Sequence, residues 1–192
     1  MKKIRALAPT HVIVNVDENK KETAEALAEY VPNVIVTHPL GPLDNLALYR
    51  LIGNHFNVPA RAEMLCARFS SVFDVISKKS FQKRNVLYVI WKDPWMTVSR
   101  DTYISRTLAV FGLQTLPESS ELRYPKLTDL NVKAVELILL STEPYRFRER
   151  HVKEIRTVTG KPVHLIDGAM TSWYGSRAIQ GLRYLADFAV SL

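Results

Sequence analysis

PARAEMLCARFSSVFDVISKKSF, residues 59–81, decides the fold. After Pro59 the stretch has no proline or glycine, and Ala62, Leu65, Cys66, Phe69, Phe73 and Ile76 recur at three- and four-residue steps. That is the spacing of one apolar face of an α-helix. Pro59 suits the first turn, where its missing N–H removes no helical bond. The spacing predicts one helix of about six turns, with Leu65, Phe69 and Phe73 buried. So long an element reads as a connector between the segments on its two sides.

Both flanks alternate strands and helices. Upstream, His11–Val16 (HVIVNV) and Asn33–Thr37 (NVIVT) are short β-branched runs bounded by turn residues. Between them, Asn19–Tyr30 places Ala24, Leu27 and Ala28 at helical spacing, which makes a βαβ unit. Leu43, Leu46, Leu51 and Ile52 predict a further helix ending near Gly53 or Asn54. Downstream come a strand at Asn85–Ile90 (NVLYVI), a helix near Thr102–Phe111 stopped by Gly112, and a strand at Val135–Leu140 (VELILL). A helix over Phe147–Val158, a strand at Pro162–Ile166 and a last helix from about Gly175 complete the pattern. The expected class is α/β: two parallel-sheet lobes joined by one long backbone helix, with a partial N-terminal lobe at 1–56, the helix at 57–84 and a C-terminal lobe at 85–192.

Composition agrees with a packed protein and excludes several classes. Of 192 residues, 47% are hydrophobic and 23% charged, which rules out disorder and fibres. No apolar run approaches the roughly 18 residues of a membrane span, and the N-terminal stretch MKKIRALAPTH, broken by Arg5 and Pro9, does not read as a signal peptide. As given, the chain is expected to be cytoplasmic, or periplasmic or at the cell surface if a signal lies upstream. The single cysteine, Cys66, excludes an intrachain disulfide, and no Cys and His cluster has zinc-ligand spacing. The formal charge is +7, and its densest stretch is Lys78, Lys79, Lys83 and Arg84 at a helix end, where cations complement the helix dipole. No basic stripe interleaved with aromatics accompanies it, so nucleic acid is not an expected partner.

Ligands of open parallel sheets bind beyond the carboxyl ends of the strands. The segments there are Trp91–Trp95 (WKDPW), Ser141–Phe147 (STEPYRF) and Asp167–Tyr174 (DGAMTSWY). They hold all three tryptophans and, with Tyr124, bring seven aromatics to one rim. Large aromatic faces suit a flat, partly apolar ligand; the alternative is that individual rings plug the sheet end as core. Catalysis has little support. WYGSR is not a strand-turn-helix G-x-S-x-G elbow, and the five histidines are scattered over different elements. The seven glycines include no phosphate-cradling motif. Asp93, Asp101, Glu143 and Asp167 are the acids nearest the rim, with loop capping as their commoner role.

Four segments carry a family resemblance: Val86–Ser105 (VLYVIWKDPWMTVSRDTYIS), Arg123–Thr128 (RYPKLT), Leu137–His151 (LILLSTEPYRFRERH) and Asp167–Arg177 (DGAMTSWYGSR). In this order they resemble the C-terminal lobe of the helical-backbone (class III) substrate-binding proteins of ABC importers, the group that takes cobalamin and ferric siderophores. Ile4–Leu27 resembles the family's N-terminal lobe after its first βαβ region, and Pro59–Phe81 falls at its inter-lobe helix. The resemblance implies a noncatalytic protein that holds its ligand in a cleft between two lobes, with no covalent cofactor and no metal bound by the chain itself. It implies cobalamin, haem or a ferric siderophore as the small-molecule metal chelate, and no insertion into the membrane.

The expected ligand-binding residues are Trp91, Trp95, Tyr124, Tyr145, Trp173 and Tyr174 for stacking, with Arg100 or Arg177 for an anionic ligand group. Departures from the family pattern are plain. The family's first strand, helix and aromatic loop have no counterpart before Met1. Lys2 and Leu130 stand where members that dock onto an ABC permease carry acids, although a shift of alignment would bring Asp129 to the second place, and Ala169 stands where the family's loop has an acid. These departures weaken the permease as an expected partner. An interaction module that presents the aromatic rim to another protein is the alternative reading; a cofactor-dependent enzyme comes third.

Overall fold

A computed structural model describes residues 1–118, 122–127 and 132–192. Leu130, Asp129 and Thr128 therefore lie outside the described residues. The chain divides into two compact units, Met1–Pro39 and Leu40–Leu192.

The first unit consists of α1 (Lys2–Leu7), β1 (His11–Asn15), α2 (Lys21–Ala28) and β2 (Asn33–Thr37). The two strands pair in parallel, in register from His11 opposite Asn33 to Asn15 opposite Thr37. Val14, Leu27 and Val31 form its small core, with Ile4, Val12, Ala24, Tyr30 and Val34 packed around them. The spacing of Ala24 and Leu27 thus does what it predicted. Helix α1 did not show in the pattern, because KKIRAL offers one apolar residue, Ile4, to that core and closes on Ala8 in the left-handed region.

The second unit opens with α3 (Asp44–His55) and α4 (Pro59–Ser77), which pack against one another. The predicted helix is continuous, but it ends at Ser77 rather than Phe81. Ile76 is its last buried residue, and Phe81, having left the helix, packs edge-on against Phe111 at 5.3 Å between ring centroids. Phe69 is fully buried, whereas Phe73 stacked beside it at 5.9 Å is half-buried. Residues 40–56, expected with the N-terminal lobe, belong to the second unit by their packing, since buried Asn45 and Tyr49 of α3 bond to Tyr103 and Gly175.

The remaining elements build one sheet covered on both faces. They are β3 (Arg84–Trp91), β4 (Met96–Thr97), α5 (Tyr103–Val110), β5 (Leu113–Thr115), β6 (Leu137–Ser141), α6 (Glu149–Thr159), β7 (Val163–Ile166), α7 (Gly168–Ser172) and α8 (Ala178–Ser191), the last preceded by a 3₁₀ turn at Gly175–Arg177. Strand β3 pairs in parallel with β6, and β6 with β7. On the other edge of β3, β5 runs parallel along its start and the two-residue β4 antiparallel along its end. Alternate residues enter opposite cores: Val86, Tyr88 and Ile90 face α4, α5 and α8, whereas Leu87 and Val89 face α6. This two-sided burial is why β3 and β6 read as unbroken apolar runs. Local signals set the ends of α5: the Thr102 hydroxyl accepts the Ser105 N–H, and Gly112 turns the chain at φ +76°. Strands β4 and β5, of two and three residues, and the five-residue α7 are too short to leave a periodic signal.

Candidate functional site

The three loops expected at the rim lie side by side because their strands do. In the order β3, β6, β7 the carboxyl ends share one sheet edge, so the loop after β6 separates the other two. On one side, the Tyr145 N–H reaches the Ile90 carbonyl at 3.4 Å and the Tyr145 ring meets Trp91 edge-on at 5.6 Å. On the other, the Trp173 indole N–H donates to Glu143 Oε2 at 2.9 Å, and the Gly168 N–H donates to Thr142 Oγ1 at 3.0 Å. Trp91 and Trp173 are thus connected through Glu143–Tyr145. Gly168 makes this closeness possible: a Cβ there would stand 2.7 Å from the Glu143 amide nitrogen and 2.5 Å from Ser141 Oγ.

Burial sorts the aromatics into two kinds. Trp91 and Trp173 are 39% and 55% exposed, large areas for tryptophan on a folded surface. Trp95 and Tyr145 are half-buried against the core of the α6 face. Trp95 stacks on Phe147 with the rings only 4° from parallel, and Lys92 Nζ sits 5.4 Å from its ring centroid. Tyr145 completes a triangle of rings with Phe147 at 4.6 Å and His151 at 5.7 Å. These two close the sheet end, and the exposed pair stands outside them.

The other expected residues take different places. Tyr124 is half-buried against the core of the α4–α8 face, on a segment that runs along β4: Thr97 N–H bonds to the Pro125 carbonyl and Ser99 N–H to that of Arg123. Arg100 is paired with Glu118 at 2.7 Å. Tyr174 meets Tyr103 edge-on at 5.7 Å. Arg177 is exposed and holds its guanidinium 5.6 Å from the centroid of the Trp173 ring, a cation–π arrangement.

Sequence reading missed the residues that hold the Trp173 loop in place. Asn45 and Tyr49, one turn apart on α3 and both buried, grip the backbone of Gly175 from both sides. The Gly175 N–H donates to Asn45 Oδ1 at 2.7 Å, and the Tyr49 hydroxyl donates to the Gly175 carbonyl at 2.8 Å. Asn45 Nδ2 in turn donates to the Pro42 carbonyl and to the Tyr103 hydroxyl. Burial pushes the Tyr49 phenol well above its ordinary range, so it remains a donor. The available signal was Asn45 and Tyr49 at an i, i+4 spacing within the apolar pattern of DNLALYRLIG.

Three of the four rim acids have structural partners. Asp101 pairs with Arg106, Glu143 holds Trp173, and Asp167 caps α7 by accepting the Met170 N–H at 3.1 Å. His151 accepts the Arg148 N–H on Nδ1 at 2.9 Å, and its Nε2 lies 3.3 Å from Arg150 Nε. Burial, then the neighbouring Arg150 and Lys92 charges, hold its pKa below the usual imidazole value. Among the described residues no three His, Cys, Asp or Glu side chains gather in a group able to hold a metal ion. The arrangement offers stacking area and the Arg177 guanidinium at a rigid edge.

No protein-family model matches the sequence, and a search of curated proteins gives no match. Solved structures do match. The periplasmic vitamin B12-binding protein BtuF of Vibrio cholerae superposes with a TM-score of 0.75 at 15% identity, over 99% of this chain and 77% of its own. An ABC transporter substrate-binding protein from Listeria monocytogenes EGD-e gives 0.77 at 15% identity, over 100% and 80%. The periplasmic haem-binding protein RhuT from Roseiflexus sp. RS-1 gives 0.76 at 18% identity, over 98% and 80%. The chain therefore has the fold of these substrate-binding proteins, in agreement with the resemblance read from its motifs.

Proposed function

We propose that this chain is a noncatalytic binding protein for a flat metal chelate of the cobalamin, haem or ferric-siderophore class, and that it serves an ABC importer at the periplasmic or cell-surface side. The observation that carries this reading is the pair of exposed indoles, Trp91 and Trp173, held beside one loop at the carboxyl edge of the sheet. A ring system lying across that loop gains area on both tryptophans and finds the Arg177 guanidinium at its border for an anionic substituent. The likeness to solved B12- and haem-binding proteins supports the ligand class through the fold. Among the described residues no helix is long and apolar enough to cross a membrane.

Docking onto the permease through α1 is not part of the proposal, since its first turn carries Lys2 and Lys3 and no acid. Titration with cyanocobalamin, haemin and a ferric hydroxamate, followed by difference absorbance and tryptophan quenching, tests the reading. One chelate is expected to saturate the protein, and Trp91→Ala with Trp173→Ala to weaken it by about tenfold or more. No spectral change with any of the three, together with co-elution of a protein partner lost in the same double variant, would replace it with the interaction-module reading.

A further inference from the structure

The second unit holds a cavity of about 310 Å³ where α4 passes the start of α8. Its lining combines apolar Leu65 and Ile179 with Arg68, Arg177, Arg183, Ser176 and Gln180. Arg68, Arg177 and Arg183 are exposed, and three cationic side chains around one small concavity sum to a positive, water-screened potential that a neighbouring carboxylate would cancel. Among the described residues the protein supplies no such group, since none of the three forms an ion pair with a carboxylate. Glu63, five residues before Arg68 on α4, is held by Arg50 at 2.7 Å, and Asp187, one turn beyond Arg183 on α8, forms no ion pair with it.

The backbone adds to this field. Helix α8 is 14 residues long, has no acidic residue in its first turn, and its N-cap, Arg177, makes no side-chain capping bond. The positive end of the helix dipole therefore adds to the arginine charges. Guanidiniums are the side chains best matched to the paired oxygens of carboxylates and phosphates, and a cavity of this size stands at the lower end of the small-ligand range.

From this convergence of three arginines without a carboxylate partner, a cavity and a helix start without a side-chain cap, we propose that the α4–α8 cavity binds a small oxyanion carrying two or more negative charges. It goes beyond the chelate reading: it uses arginines of α4 and α8 rather than the exposed indoles, and shares only Arg177 with the rim.

Isothermal titration of the full chain, without chelate, with citrate and separately with inorganic pyrophosphate tests it, and the anion that saturates at the lower concentration names the source as carboxylate or phosphate. Saturation is expected with a Kd of about 0.1–1 mM, weakening as salt is added. Arg68→Gln and Arg183→Gln, with unchanged circular dichroism, should each weaken binding by about tenfold, the loss of one charge-assisted contact. Arg177 is left intact because the chelate reading also uses it, and Trp91→Ala should leave anion affinity unchanged. Absence of saturation by either anion below about 10 mM, or equal affinity in an Arg68→Gln/Arg183→Gln protein, overturns the proposal.

Discussion

The two compact units solve the same problem on different scales. Both contain a parallel pair joined by a helix, β1–α2–β2 in the first and β6–α6–β7 in the second. In the second, the sheet is sandwiched: side chains on one face of β3 and β6 pack with α4, α5 and α8, and those on the other with α6. In the first, two five-residue strands share a core cluster of Val14, Leu27 and Val31, with Ile35 buried apart from it and Ile13 and Val36 exposed. A parallel pair with so small a core gains little burial to offset the ordering of its chain, so the difference in stability follows from the extent of burial rather than from strand propensity.

The largest test strikes the covered unit. Phe69 is fully buried between Tyr49 and Phe73, and Phe69→Ala should lower unfolding free energy by about 3–5 kcal/mol, read by urea denaturation. Phe73→Ala should do less, because that ring is only half-buried. Asn45→Ala comes next. It orphans the Gly175 N–H and removes the Asn45 donor to the Tyr103 hydroxyl, a loss of about 2–3 kcal/mol, and the freed loop should change Trp173 fluorescence. If stability falls without any change in that signal, Asn45 does not position the rim.

In the first unit, Leu27→Ala should cost only about 2 kcal/mol, since three buried residues leave room to collapse around the gap. Hydrogen exchange should show β1 and β2 amides opening before those of β3 and β6 in the unaltered protein; equal protection of the two sheets would contradict the comparison. The smallest effect is one of pH. The folded chain holds the His151 pKa below its ordinary value, so the unfolded chain takes up the proton first. That contribution is fully present above about pH 6.5 and declines as pH falls toward the lowered value. His151→Gln should flatten the acid side of the stability profile. It should not abolish the slope, because His164 is shifted in the same direction by desolvation and by Arg156 and Arg84.

Most of the elements were legible before any tertiary contact was known. The three- and four-residue spacing from Ala62 to Ile76, the alternation of β-branched runs with helical segments, the Thr102 cap and Gly112 are local devices, readable wherever they occur. Even the placing of the rim segments beyond the strand ends followed from parallel topology. What only the folded chain decided depends on residues far apart in sequence. Trp91 and Trp95 are four positions apart and alike in composition, yet Phe147 stacks beneath one ring and leaves the other exposed. Asn45 grips a turn 130 residues away, and arginines of α4 and α8 meet around one cavity. Periodicity reports which face a residue occupies; whether that face meets core, a polar partner or solvent depends on which distant segment packs against it.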